Sequence, residues 1–402
     1  NLASGLSDYI LGERQGARQR FAESLATLET LPPQERVRTL KARVYRNMGE
    51  LLELENPEEA LVWVMHGLEE ADEGSLESAA LQIKAGTAQL YLGKYDAAQQ
   101  SLEAGLQLLQ EGPSQLRVLA LMNLGSIHFF RGKLEESLRF CQSALQISQQ
   151  LHDHFRTANI LSNLAIEKYC RGDWPEAIAD FKSALALAES LGSEQLQAEI
   201  AINLGAAYLN TGDYEDATQH LNNSLRLAQQ NQLHVVESFA QFRLADLHLR
   251  LGEWATAAIH LSQAESVAQS IRHRASLIAI SRSWAELFLA EGKVTEALAR
   301  AEFSIQLAQE LAEELEQGES LRTLGRVLMK LGKQQQALEA LEQSLLLLID
   351  EDPYEAARTM LELGALLLHA EDPERGKQLL QDARQRFQQL NAKQDLKDPR
   401  FV

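Results

Sequence analysis

A fixed step of 40 residues constrains this chain more than any other feature. Gly125, Ala165, Gly205, Ala245, Ala285 and Gly325 stand 40 residues apart, and Gly86 and Gly364 extend the series at 39. Weaker copies surround Gly49 and Gly5. Seven residues beyond most of these anchors comes a second glycine: Gly12, Gly93, Gly132, Gly172, Gly212, Gly252, Gly292 or Gly332. Twelve beyond them comes Ala98, Ala177, Ala217, Ala257, Ala297 or Ala337. Self-similarity at such a period marks a stack of small units, each burying its core against its neighbours.

The stretch LSNLAIEKYCRGDWPEAIADFKSALALAES, residues 161–190, shows why the positions recur. Apolar residues fall three and four apart, which is a helical spacing, and strand alternation is absent throughout. Small residues at the anchor and alanine positions let two helix backbones cross closely, while Leu124, Leu164, Phe181 and Leu204 fill the grooves beside them. The second glycine supplies the positive φ that ends a helix. In GDWPEA, Asp173 is expected to cap the next helix, with Pro175 in its first turn and Glu176 completing a capping box. The reading is all-α, about ten helix–turn–helix copies in one continuous solenoid over residues 1–402. An irregular turn is expected at 30–40, in TLPPQERVRTL, and a polar, aperiodic tail at 393–402.

NLGSIHFFRGKLEES and NLGAAYLNTGDYEDA resemble the tetratricopeptide repeat, whose pattern has Leu-Gly in the first helix, a glycine turn, and spaced alanines in the second. The resemblance covers nearly the whole chain and implies a right-handed superhelix. The family's unit is about 34 residues and ends in a proline; here the unit is longer, that proline is missing, and the second helix runs on, as in SALQISQQLHDH. Such long units are similar to those of kinesin light chains, of LGN-type spindle adaptors and of bacterial STAND regulators of the maltose-activator (MalT-like) kind. The resemblance implies a scaffold that binds protein or peptide segments, as the sensor or partner arm of a bacterial multidomain signalling ATPase or transcription regulator. The alternatives are an adaptor of the kinesin light chain or LGN kind, or a self-assembly module without a peptide ligand.

Other classes find little support in the residues. No phosphate loop, HExxH or CxxC occurs, every glycine of the period has a structural reason, and no nucleophile–base constellation stands out, so the expectation is a non-enzyme without cofactor. His152, Asp153 and His154 sit between copies and lack a further ligand in register, so no metal is expected. A net charge of −19 opposes nonspecific nucleic-acid binding. With no apolar run of spanning length and two isolated cysteines, Cys141 on a core face and Cys170 near the end of a first helix, the chain reads as cytoplasmic. It begins at Asn1, just before the first anchor, which suggests an attached N-terminal domain in a longer protein.

The binding residues are sought on the first helix of each copy, since the resemblance places those helices along the concave face. Offsets from the anchors select Met122, Phe129, Phe130 and Tyr169, then Phe239, Phe242 and Arg250, then Arg282, Arg322, Arg326 and Lys330. An acidic chain thus holds aromatic residues in the middle of the groove and a basic stretch towards its C-terminal copies. The partner expected is a segment with apolar anchors and acidic side chains. Asn123, Asn163 and Asn203, two residues before successive anchors, match an asparagine run that in relatives grips a peptide backbone; local bonding within the repeat is the other reading.

Overall fold

The small residues of the period lie where two helices cross. A Cβ on Gly205 would stand 2.6 Å from Leu221, one on Gly325 2.6 Å from Leu341, and one on Gly125 2.7 Å from Cys141 Sγ. Ala177, Ala217, Ala257, Ala297 and Ala337 are fully buried opposite them. In this computed structural model, which describes residues 14–53, 56–368 and 372–401, the result is nineteen helices among the described residues. The copy around Gly5 and Gly12 lies outside the described residues.

The helices are α1 (Arg14–Glu29), α2 (Glu35–Leu52), α3 (Pro57–Glu70), α4 (Leu76–Tyr91), α5 (Tyr95–Leu108), α6 (Gln115–Phe130), α7 (Leu134–Gln150), α8 (His154–Cys170), α9 (Trp174–Ser190) and α10 (Glu194–Thr211). They continue with α11 (Tyr214–Gln230), α12 (His234–Leu251), α13 (Trp254–Ser270), α14 (Arg274–Ala290), α15 (Val294–Leu311), α16 (Glu314–Lys330), α17 (Gln334–Leu348), α18 (Pro353–Leu368) and α19 (Pro373–Gln389). Sequential helices pair as hairpins, and the first helices of adjacent hairpins also touch one another, as α10, α12, α14, α16 and α18 do in turn.

Each glycine turn takes the positive φ expected, from +69° at Gly93 to +84° at Gly172. The turns between hairpins were not foreseen: His152, Gly192, Gln232, Arg272 and Ala312 occupy the left-handed region at the same 40-residue step, and four of the five carry a side chain. The capping expected of Asp173 is not made by its side chain. Its backbone spans the turn instead, its N–H donating to the Lys168 carbonyl and its own carbonyl accepting from Ala177 N–H, while the carboxylate meets Arg171 at 3.5 Å. The irregular turn is confined to residues 30–34, since α2 resumes at Glu35.

The chain divides into two units, residues 1–160 and 161–402, with the boundary inside α8. The first has cores such as Phe21–Val44–Met48 and Ile83–Leu102–Leu124 under its hairpins. The second stacks its hairpins over Phe242–Leu261–Ile280 and Leu328–Leu341–Leu363. One further cluster of the second unit has no counterpart in the repeat: Trp174, at the start of α9, is buried with Tyr354, Phe387 and Leu390 from the last hairpin. The second unit therefore closes on itself. Its C-terminal residues form two single-turn 3-10 helices, Asp395–Lys397 and Pro399–Phe401, with Leu396 and Phe401 packed against that cluster.

Candidate binding cavity

The closed second unit surrounds a half-open cavity of about 970 Å³. Its wall comes mainly from the inward faces of α12, α14, α16 and α18, with the end of α8 and the C-terminal tail completing it. Helix geometry explains which residues arrive there. Residues three or four apart share a face, so Phe242, Asp246 and Arg250 of α12 line it together, as do Glu319, Arg322 and Arg326 of α16.

Two chains of alternating charge run across this wall. In one, Arg282 of α14 pairs with Glu316 and, at 3.0 Å, with Glu319; Arg322 meets Glu319 at 3.8 Å and Glu355 of α18 at 2.5 Å; Glu355 then meets Arg358 at 3.2 Å. In the other, Glu286 holds Arg326, which faces Glu362 at 3.6 Å, and Glu362 holds Arg400 at 2.8 Å. Thr323 donates to Glu286 at 2.7 Å. Burial alone would raise the Glu355 carboxyl, but Arg322, Arg358 and Arg282 hold it well below the usual carboxylate range. Glu319 goes the other way, to about 8, because burial is reinforced by Glu355 and Glu316 while Arg282 opposes. Burial with Glu355 nearby lifts Asp352 to about 6.

The sequence reading placed Tyr169, Phe242, Arg250, Arg282, Arg322, Arg326 and Lys330 on a groove, and all seven line this one cavity. It did not foresee the glutamates at comparable offsets, which occupy the arginines. Arg282, Arg322 and Arg326 are clamped by the chain's own carboxylates, so a partner's acids would have to displace those. Arg250 is likewise engaged, by Asp246 at 3.2 Å and by the Leu209 carbonyl. Arg243 and Lys330 are different: they line the cavity and make no ion pair to any described carboxylate, and Arg243 lies over the Phe242 ring, 5.2 Å from its centroid. Trp254, two-fifths exposed, adds an apolar surface, and Asn210 donates to the Tyr169 hydroxyl at 2.9 Å.

The remaining candidates lie elsewhere. Phe239 is exposed at the start of α12, edge-on to His273, and does not line the cavity. Met122, Asn123, Phe129 and Phe130 belong to the first unit. There, Phe130 is largely exposed and stacks on Tyr95, with Phe129 edge-on to it. The Asn123 amide donates to Thr87 Oγ1 at 2.7 Å, a bond to the preceding copy and so neither a bond within its own repeat nor a contact to a peptide. Asn163 and Asn203 are half-buried and neither lines the cavity; Asn210, seven residues further along α10, does. Cys141 is buried, as expected, whereas Cys170 is exposed at the cavity wall, where the surrounding protein and the nearby Asp352 and Glu167 push its thiol up. The described residues contain no helix long and apolar enough to cross a membrane and no cluster of His, Cys, Asp and Glu suited to a metal.

Comparison with known proteins agrees with this architecture. The family model of the tetratricopeptide repeat matches residues 116–190, 196–270 and 276–348, more than half of the chain. None of the curated proteins matches. Among solved structures, a Rap protein complexed with Competence and Sporulation Factor is similar at TM-score 0.64 and 16% identity, covering 89% of this chain and 99% of its own. Aspartyl phosphate phosphatase F from Bacillus subtilis is similar at 0.57 and 14%, covering 86% and 92%. The Rap conjugation gene regulator of plasmid pLS20, in complex with the Phr* peptide, is similar at 0.57 and 12%, covering 89% and 98%. At such identities the likeness is one of fold.

Proposed function

The chain belongs to the tetratricopeptide-repeat family, and we propose that the cavity of its second unit captures a short segment of peptide or protein carrying apolar and acidic side chains. The observation that carries this reading is the pairing state of the wall. Most cavity arginines are neutralised from within, but Arg243, which lies over Phe242, and Lys330 line it without an ion pair to a described carboxylate, Asp246 acting on Arg243 only from beyond ion-pair distance. A ligand carboxylate reaching Arg243 gains a charge-assisted, forked hydrogen bond while its apolar neighbours cover Trp254. One of the solved structures of similar fold supports a peptide as the ligand, being a complex with the Phr* peptide, and another is a complex with Competence and Sporulation Factor. In this reading the chain serves as the sensing arm of a bacterial signalling ATPase or transcription regulator.

The test is selection of binding peptides from a random displayed library against the unaltered chain and against Arg243→Glu and Lys182→Glu. Lys182 is exposed on α9 and does not line the cavity. The expected outcome is enrichment of peptides with acidic and apolar residues, abolished by Arg243→Glu and retained by Lys182→Glu. Recovery of the same peptides by both variants would place binding outside the cavity and end the proposal.

A further inference from the structure

Two of the glycine turns are in use in a way that four others are not. At Gly93, Gly252, Gly292 and Gly332 a Cβ would meet nothing within 4 Å. At Gly172 it would lie 1.9 Å from Leu390 Cδ2, and at Gly212 2.5 Å from Gln394 Cγ. The tail after α19 thus seats side chains directly on the turns of the second unit's first two hairpins. Leu390 and Ala392 are buried there, and Lys393 reaches Asp213 at 4.0 Å.

The same tail connects to the cavity wall at two points. Tyr354 donates its hydroxyl proton to Asp395 at 3.1 Å, and Arg250 approaches the same hydroxyl at 3.5 Å. Arg400, itself lining the cavity, shares Glu362 with Arg326. Phe401 completes the seat, its ring edge-on to Phe387 at 6.1 Å. The tail therefore bonds both to the turns it closes over and to the charge chains inside.

We propose that residues 390–401 are a clasp that controls access to the cavity of the second unit: docked on the Gly172 and Gly212 turns it holds the closed form, and released it lets the first and last hairpins part. The clasp as a gate for ligand rests on the binding reading above; its docking does not, so the test uses no ligand. Cys170 serves as the reporter, because it lines the cavity and is already open to small molecules, while Cys141 is buried, so that only the access of a bulky reagent depends on the clasp. Small iodoacetamide reports the chemistry of the thiol, and a polyethylene-glycol maleimide reports whether the cavity admits a bulky molecule. In the full chain, Arg400→Ala with Phe401→Ala is expected to raise the bulky-to-small labelling ratio at Cys170 about fivefold, as local opening becomes more frequent. Gly212→Ala is expected to do the same by evicting Gln394. Gly252→Ala, with like backbone strain and empty space around it, leaves the ratio unchanged. The proposal is overturned if amides of 395–401 exchange freely in the unaltered chain, or if both clasp variants label like Gly252→Ala.

Discussion

The indole of Trp174 stands edge-on to the ring of Tyr354 with centroids 5.0 Å apart, joining the start of α9 to the start of α18. The same indole donates to the Tyr169 carbonyl at 3.2 Å, so one residue fixes the end of α8 and receives the last hairpin. Trp174→Ala removes a side chain 1% exposed and should cost about 3–5 kcal/mol of local stability. Hydrogen exchange should show α8–α9 and α18–α19 losing protection together while α13–α14 keeps it. Loss confined to α9 would mean that the closure contributes nothing.

Arg322, at 4% exposed, sits between Glu319 and Glu355. Arg322→Leu strands buried carboxylates and should destabilise α16–α18 by about 3–5 kcal/mol, whereas adding Glu355→Leu should recover part of the loss, limited because Arg358 then loses its carboxylate. Urea unfolding followed by exchange at these helices measures both. Additive losses in the double variant would show that the pair is not coupled.

Glu319 predicts a pH dependence. Its folded-state value is raised, so its contribution to stability is fully present below the ordinary carboxylate range and is lost as pH rises through about 8. Asp352 acts in the same sense, up to about 6. Glu355, held low, acts oppositely and loses its contribution as the solution becomes strongly acidic. Glu319→Gln should therefore match the unaltered chain near pH 5 and melt higher at pH 8. Calorimetric scans at the two pH values give the comparison, and parallel profiles would count against the raised carboxyl.

The turns offer a test of opposite signs. Gly292→Ala meets no neighbour, so its cost is backbone strain alone, about 1–2 kcal/mol. Ala312, at φ +57°, already bears that strain, and Ala312→Gly should stabilise by about 0.5–1 kcal/mol after the added chain entropy. Equal signs in thermal melts would contradict this account.

What the sequence revealed and what it hid follow from range. The hairpins were legible because each is made by contacts that recur at one period, Gly205 against Leu221 and Gly325 against Leu341. The cavity arginines were legible because the concave-face offsets that the tetratricopeptide resemblance implies, applied at the 40-residue step, select Arg282, Arg322 and Arg326. Their pairing was not, since acidic residues on a helical array ordinarily face solvent, and only the neighbouring helix decides that Glu286 and Glu355 do not. Asn123 was ambiguous for the same reason: Thr87, its partner, lies in the preceding copy. The closure left no periodic trace, because Leu390 and Gln394 contact turns far away in sequence. The left-handed turns at Gln232, Arg272 and Ala312 carry no glycine to announce them.

An open array of hairpins can gain or lose a member and merely become longer or shorter. A coil whose tail must land on Gly172 and Gly212 has a fixed circumference. Between Trp174 and Phe387 a whole copy cannot be inserted or removed without carrying Leu390 and Gln394 away from their seats and parting Trp174 from Tyr354. Repeat number, elsewhere free to drift, is locked in this stretch by the need to meet its own beginning.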